Sequence, residues 1–243
     1  MKIFLTLLKR ELAGYFATPI AYVFLCIFLI LSGVLTFQFG GFLERAATLD
    51  SFFIFHPFLY LFLIPALSMR LWAEERQSGT IELLMTLPVT MTQAVLAKFG
   101  AAWAFIGIAL LLTFPVWWTV NSLGSPDNGV ILAGYLGSFL MAGAFLAVGA
   151  FTSALTKNQV IAFVLSLALC SVLLIIGMPF ALELLGPLMP SFLLETINSF
   201  SIYEQFINLS RGLLELRAIV FFISMIALFL FANGVVLDHR KAS

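Results

Sequence analysis

The feature that most constrains this chain is a series of long apolar runs separated by short polar segments. The first run extends from Leu12 to Leu43 without a charged residue. Of the 243 residues, 62% are hydrophobic and 10% are charged, and the net charge is zero. A soluble domain of this size has too little interior to bury that much apolar surface. The composition therefore predicts a polytopic membrane protein and excludes a soluble enzyme, a nucleic-acid-binding protein and a disordered chain.

Six of the runs approach or exceed the roughly 20 apolar residues that a helix needs to cross a bilayer. The predicted spans are 20–39, 52–72, 99–120, 130–155, 160–180 and 218–237. Because backbone polar groups cannot stay unpaired in lipid, each run is expected to be a helix. We therefore predict an all-α fold in which residues 1–243 form a single transmembrane domain with six spans.

The distribution of Lys and Arg predicts the orientation of these spans. Nine of the twelve basic residues fall on the side of the termini, and three fall on the opposite side. The nine are Lys2, Lys9, Arg10, Arg70, Arg76, Lys98, Lys157, Arg240 and Lys241, and the three are Arg45, Arg211 and Arg217. Since short cytoplasmic segments carry the excess of basic residues, both termini are expected to be cytoplasmic.

Two connecting segments are expected to form short helices outside the spans. Residues 1–17 are amphipathic at helical spacing and predict an interfacial helix on the inner leaflet. Lys2, Thr6, Lys9 and Arg10 share one side of that helix, and Phe4, Leu8, Leu12 and Tyr15 share the other. Residues 181–216 are long for a connection and contain apolar runs too short to cross, which indicates outer re-entrant or interfacial helices.

The chain lacks the sequence marks of catalysis. Its two histidines, His56 and His239, are isolated, and none of its five lysines follows a glycine as a phosphate-binding loop requires. We expect no catalytic residue, metal or cofactor on this chain, and an interfacial or packing role for His56. Small residues at four-residue spacing in 130–155 are expected to let helices approach closely.

The segment 73–88 is the most informative loop. Glu74, Ser78 and Glu82 lie four residues apart, which predicts that they line one face of a helix, and Pro88 would stop it. A short charged helix at the inner membrane surface is suited to docking on a soluble partner. An ordinary solvated loop is the alternative that this pattern alone leaves open.

This loop also carries a family resemblance. It contains, in order, Glu74, Glu75, Arg76, Ser78, Gly79, Thr80, Glu82, Leu84 and Pro88 after a second span. That pattern resembles the signature of ABC-2 type permeases. Residues 18–22, 155–159 and 210–214 are similar to the gliding-motility permease branch of that family, and the nitrous-oxide-reductase maturation permease is a related protein.

The resemblance implies a permease subunit in a bacterial inner membrane, paired with a second permease subunit in a homodimer or heterodimer. Two copies of a cytoplasmic ABC ATPase would bind ATP and Mg²⁺. Residues 1–17 would be the connecting helix, and 73–88 the coupling helix that contacts the ATPase. The implied contact residues are Glu74, Glu75, Arg76, Gly79, Thr80, Glu82 and Pro88, with Lys157 and Asn158 at a second inner contact.

The sequence is compatible with several functions. The leading one is coupling of ATP hydrolysis to helix movement for substrate export. Transmission of force to a periplasmic partner without a translocated substrate is an alternative, and a membrane assembly subunit unconnected to ATP is another. An intramembrane enzyme is disfavoured because the catalytic groups are missing. The sequence names no substrate.

Overall fold

All regular secondary structure in the described part of the chain is helical. The computed structural model describes residues 2–39, 48–80, 90–187 and 198–239, together with residues 190, 192 and 196. The helices are α1 (Lys2–Ala17), α2 (Pro19–Phe39), α3 (Asp50–Ile54), α4 (His56–Ser68), α5 (Arg70–Ser78), α6 (Met91–Leu111), α7 (Phe114–Leu123), α8 (Asn128–Leu155), α9 (Gln159–Ile175), α10 (Pro179–Leu185), α11 (Ile202–Ser210) and α12 (Leu216–His239).

Four helical stretches are long and apolar enough to cross a membrane. They are Ala21–Gln38 within α2, Met91–Leu123 across α6 and α7, Asn128–Leu155 (α8) and Leu216–His239 (α12). These stretches coincide with the first, third, fourth and sixth predicted spans. For the described residues, the prediction of an all-helical fold with several such helices is confirmed, and the count of six spans remains a prediction.

The predicted second span, 52–72, differs from a single helix. It is divided among α3, α4 and α5, with one-residue breaks at Phe55 and Met69. Pro57 lies in the first turn of α4 and has no N–H to donate to the carbonyl four residues earlier. The helix therefore restarts at this point instead of continuing from α3.

The predicted fifth span, 160–180, ends earlier than expected. Helix α9 stops at Ile175, and the next helix begins at Pro179. Between them, Gly177 lies so close to Ser201 that a β-carbon there would overlap the serine side chain. The chain turns where Ser201 approaches it, and α9 alone is shorter than a typical span.

Helix α8 is the centre of the bundle, and α4, α5, α6, α9, α11 and α12 all pack against it. Its glycines mark the closest approaches. Gly137 faces Leu209 of α11, Gly143 faces Trp103 of α6, and Gly149 faces Ser68 of α4. The small residues of this span therefore have the packing role that their spacing predicts.

The two segments outside the spans both contain helices among their described residues. Helix α1 runs along α6, where Tyr15 stacks on Phe105 with ring centroids 5.3 Å apart. Helix α11 rests on α8 through a buried face that includes Phe206 and Leu209. The helix expected to lie on the membrane surface thus packs against the protein along much of its length.

His56 occupies an aromatic cage at the start of α4. The side chain is fully buried, and the rings of Phe28, Phe52, Phe53 and Tyr60 lie 4.5–5.8 Å from its own. The backbone of Phe52 and Phe53 approaches the imidazole, but within the described residues neither ring nitrogen completes a hydrogen bond. This environment fits the packing role expected for His56.

Replacing His56 with phenylalanine is expected to stabilise the protein. The new ring keeps the aromatic contacts and removes two buried nitrogens, and an unsatisfied buried polar group costs about 1–3 kcal/mol. We expect a higher midpoint of thermal unfolding in detergent for His56→Phe. The control His56→Leu loses the ring contacts and should show no gain. A lower midpoint for His56→Phe would mean that the imidazole has a polar partner.

Candidate functional site

Helix α5 is fixed at its first turn to α8, which we call the hub helix because most other helices pack against it. The amides of Trp72 and Ala73 donate to Ser153 Oγ at 3.1 Å, and this hydroxyl donates to the Met69 carbonyl at 2.9 Å. The first amides of a helix have no acceptor within the helix. Ser153 supplies that acceptor from α8, in the way that an N-cap residue normally does from the same helix.

A second contact joins α5 to the end of α8. Arg76 Nη1 donates to the Ala154 carbonyl at 2.6 Å, where the C-terminal carbonyls of α8 favour a cation. Lys157 and Asn158 follow immediately and are exposed, and Asn158 Oδ1 caps α9 by accepting from two amides at 2.9 and 3.4 Å. The described part of the first contact region implied by the family resemblance therefore lies next to the second.

The exposed end of α5 is a sharp turn. The helix ends at Ser78, and Gly79 adopts a left-handed conformation with φ of +73°. Residues 77–80 are all exposed, and a β-carbon on Gly79 would meet nothing within 4 Å. A glycine in this conformation is a common way to end a helix. Gly79, which the resemblance gives as a contact residue, also has this conformational role.

This turn changes the expectation drawn from the four-residue spacing. Glu74 and Ser78 lie on the same helix, but this helix ends at Ser78, before the left-handed Gly79. Glu82 and Pro88 lie outside the described residues. Thr80 is exposed, and its hydroxyl shares a hydrogen bond of 2.9 Å with Ser78.

The two predicted contact carboxylates of α5 differ in their surroundings. Glu74 is 47% exposed and forms two hydrogen bonds with Arg70, at 2.8 and 2.9 Å. Glu75 is 20% exposed and lies 2.7 Å from Lys98 Nζ on α6. Glu75 is thus engaged inside the protein. Whether either carboxylate contacts a partner remains a prediction.

Lys98 is the centre of a charged cluster that the sequence reasoning missed. Its side chain is only 7% exposed, although lysine is rarely buried. Besides Glu75, it contacts Glu11 Oε2 of α1 at 3.0 Å and lies over the Trp72 ring at 5.5 Å. One signal was available in the sequence, because Glu11 is a charged residue on the otherwise apolar side of the first helix.

A cleft of about 430 Å³ lies beside this cluster, between α1 and the α4–α5 segment. Gly14, Tyr15 and Thr18 line one side of it, and Arg70 and Glu74 line the other. Burial and the neighbouring Glu11 carboxylate raise the pKa of Tyr15, while Arg70 lowers it, so that the phenol stays neutral. Within the described residues, no three metal-binding side chains come together.

Comparison with known families places these observations in context. The sequence model of the family described as "ABC-2 family transporter protein" matches residues 20–237. The match spans α2 to α12 and so includes α5, the hub helix and the α8–α9 turn. It is a match to the family as a whole and does not test the similarity to the gliding-motility branch or to the maturation permease. No curated protein matches the chain significantly.

Proposed function

The chain belongs to the ABC-2 transporter family, and from this premise we propose that it is the permease subunit of an ABC exporter. A separate cytoplasmic ATPase binds ATP with Mg²⁺ and hydrolyses it. The permease converts the resulting movement of the ATPase into movement of its membrane helices, which exports a substrate. The chain itself carries no cofactor in this proposal.

One observation supports the coupling role most directly. The exposed residues 77–80 at the end of α5 and the exposed Lys157 and Asn158 form one surface, which we call the α5–turn surface. The Arg76–Ala154 hydrogen bond joins its two parts. A partner that contacts this surface would press on α5, whose first turn is held by Ser153 of the hub helix.

Packing explains how a displacement at this surface could spread through the bundle. Protein interiors are close-packed and transmit strain. Helix α8 is packed against α3, α4, α5, α6, α9, α11 and α12, so a shift of its inner end moves it against all of them. The α5–turn surface is therefore a suitable point from which to change the arrangement of the spans.

The proposed assembly follows from the same premise. ABC-2 permeases generally act with an ABC ATPase subunit. We infer two ATPase copies and a second permease subunit of the same or a different kind. The nine-to-three distribution of basic residues supports cytoplasmic termini in a bacterial inner membrane, with the α5–turn surface on the ATPase side.

A charge reversal at Lys157 tests the proposed contact. The ATPase that co-purifies with the full-length chain is identified, and its affinity for purified variants is measured. A charge-assisted contact is typically about 1.5–3 kcal/mol, so Lys157→Glu is expected to weaken binding by roughly ten- to a hundredfold. The matched control is Arg211→Glu, an exposed arginine in the turn after α11, which should bind normally.

Two substitutions at Gly79 extend this test. Leucine adds bulk and resists the left-handed conformation, whereas asparagine adds bulk and tolerates it. Weakened binding by both variants indicates a close contact with the partner. Weakened binding by Gly79→Leu alone indicates a conformational effect. Normal affinity for both, together with normal affinity for Lys157→Glu, would show that the α5–turn surface is not the contact.

A further inference from the structure

The charged cluster around Lys98 joins three helices at one buried nitrogen. Lys98 lies on α6, Glu11 on α1, and Glu75 and Trp72 on α5. Both carboxylates lie within 3.0 Å of the lysine Nζ, and both are largely buried. We call this arrangement the Lys98 joint.

The Lys98 joint spans a gap between α1 and α5. On α1, Gly14 and Tyr15 line the cleft, and on the other side Arg70 and Leu71 of α5 line it. Helix α1 packs extensively along α6, and no comparably extensive packing joins it to α5 within the described residues. The ion pairs of Lys98 thus connect α5 with α1 across the cleft between them.

Stability alone is a weak explanation for this arrangement. Burying an ion pair costs the hydration of both charges, and their mutual attraction often only offsets this cost. Apolar residues of similar volume can therefore stabilise a protein equally well. The joint also places two carboxylates on one ammonium, and within the described residues Glu75 Oε2 is buried without a hydrogen-bond partner. What the joint provides in addition is a directional link, because charge-assisted hydrogen bonds fix the distance between the groups they connect.

We propose that Lys98 is a positioning residue that makes α1 move together with α5 when a partner displaces the α5–turn surface. The inference rests on the proposed function of that surface. If α5 moves alone, the Glu75 carboxylate separates from the Lys98 ammonium. The site is buried, so little water can take the place of the carboxylate. If α1 follows, both ion pairs are kept, and the cleft beside them leaves room for the two helices to adjust.

Hydrogen–deuterium exchange of the full-length chain in complex with its ATPase tests this proposal. Exchange is compared without nucleotide and with ATP bound to a hydrolysis-deficient ATPase. In the wild type, ATP is expected to change the exchange of α1 and of α5 together. In Lys98→Met the response of α5 should persist and the response of α1 should be lost, and Lys98→Arg should restore it.

Two further variants distinguish loss of the Lys98 joint from a general folding defect. Lys98→Met leaves Glu11 and Glu75 facing each other, so the triple variant with Glu11→Gln and Glu75→Gln removes that repulsion and should also lose the α1 response. Arg70→Gln is the matched control, because it breaks an ion pair within α5 that links no other helix, and it should keep the response.

The outcomes separate the inference from the proposed function. A response of α5 without one of α1 in the wild type would overturn the role of Lys98 while leaving the α5–turn surface in place. An unchanged α1 response in Lys98→Met and in the triple variant would also overturn it. If α5 itself does not respond in a complex whose ATPase has bound ATP, the proposed coupling function fails and the inference fails with it.

Discussion

Replacing Gly149 with alanine is expected to destabilise the bundle strongly, and replacing it with leucine is expected to prevent assembly of a monodisperse protein. A β-carbon at Gly149 would overlap Ser68 Oγ and lie 2.6 Å from Ser68 Cβ. Ser68 is fully buried at the end of α4, so the two helices must separate to accommodate the added atom. Overpacking of this kind typically costs about 1–3 kcal/mol and sometimes more. The measurements are thermal unfolding and size-exclusion chromatography in detergent.

Two other glycines provide matched controls for this prediction. Gly33 of α2 and Gly234 of α12 are also helical, and a β-carbon on either would meet nothing within 4 Å. Alanine is favoured over glycine in a helix by about 1 kcal/mol, so Gly33→Ala and Gly234→Ala should be neutral or stabilising. In the Gly149→Ala background, Ser68→Gly removes the overlapping atoms and should restore part of the lost stability. Unchanged unfolding of Gly149→Ala would contradict the close approach of α4 and α8.

The sequence predicted those parts of the fold that depend on local composition. Four spans could be located because the length of an apolar run is visible without knowing what packs against it. The second and fifth spans were less predictable. Their breaks depend on Pro57, which is visible, and on the approach of Ser201 to Gly177, which is not. Hydropathy treats both segments as uniform, although a proline divides the first and a tertiary contact lies at the end of the second.

The candidate site shows the same limit more clearly. Glu74 and Glu75 are adjacent and chemically identical, and nothing in the sequence distinguishes their surroundings. In the structure Glu74 pairs within its own helix, while Glu75 turns toward Lys98 on another. The resemblance identified a contact segment, but it could not show which of its side chains face inward. Only Glu11, a charge on an apolar helix side, hinted that a buried cation was near.

Replacing Ser153 with alanine is expected to loosen α5 without removing any residue of the α5–turn surface. The substitution leaves the amides of Trp72 and Ala73 without an acceptor in a buried site. A buried unsatisfied donor costs about 1–3 kcal/mol, which corresponds to faster local opening by roughly five- to a hundredfold or more. We expect the backbone amides of 70–78 to exchange faster by that factor in hydrogen–deuterium exchange.

The neighbouring Thr152 offers a control of similar size and burial. Its hydroxyl donates to Gly149 within α8 itself, so Thr152→Val removes a buried hydrogen bond but no link between helices. Exchange in 70–78 should then stay at the wild-type rate. If Ser153→Ala leaves that exchange unchanged as well, Ser153 does not hold the first turn of α5. A third outcome is that exchange rises and ATPase binding is kept, but ATP hydrolysis no longer moves the membrane helices. In that case the connection between α5 and α8 transmits the motion, and the exposed turn provides the contact with the ATPase.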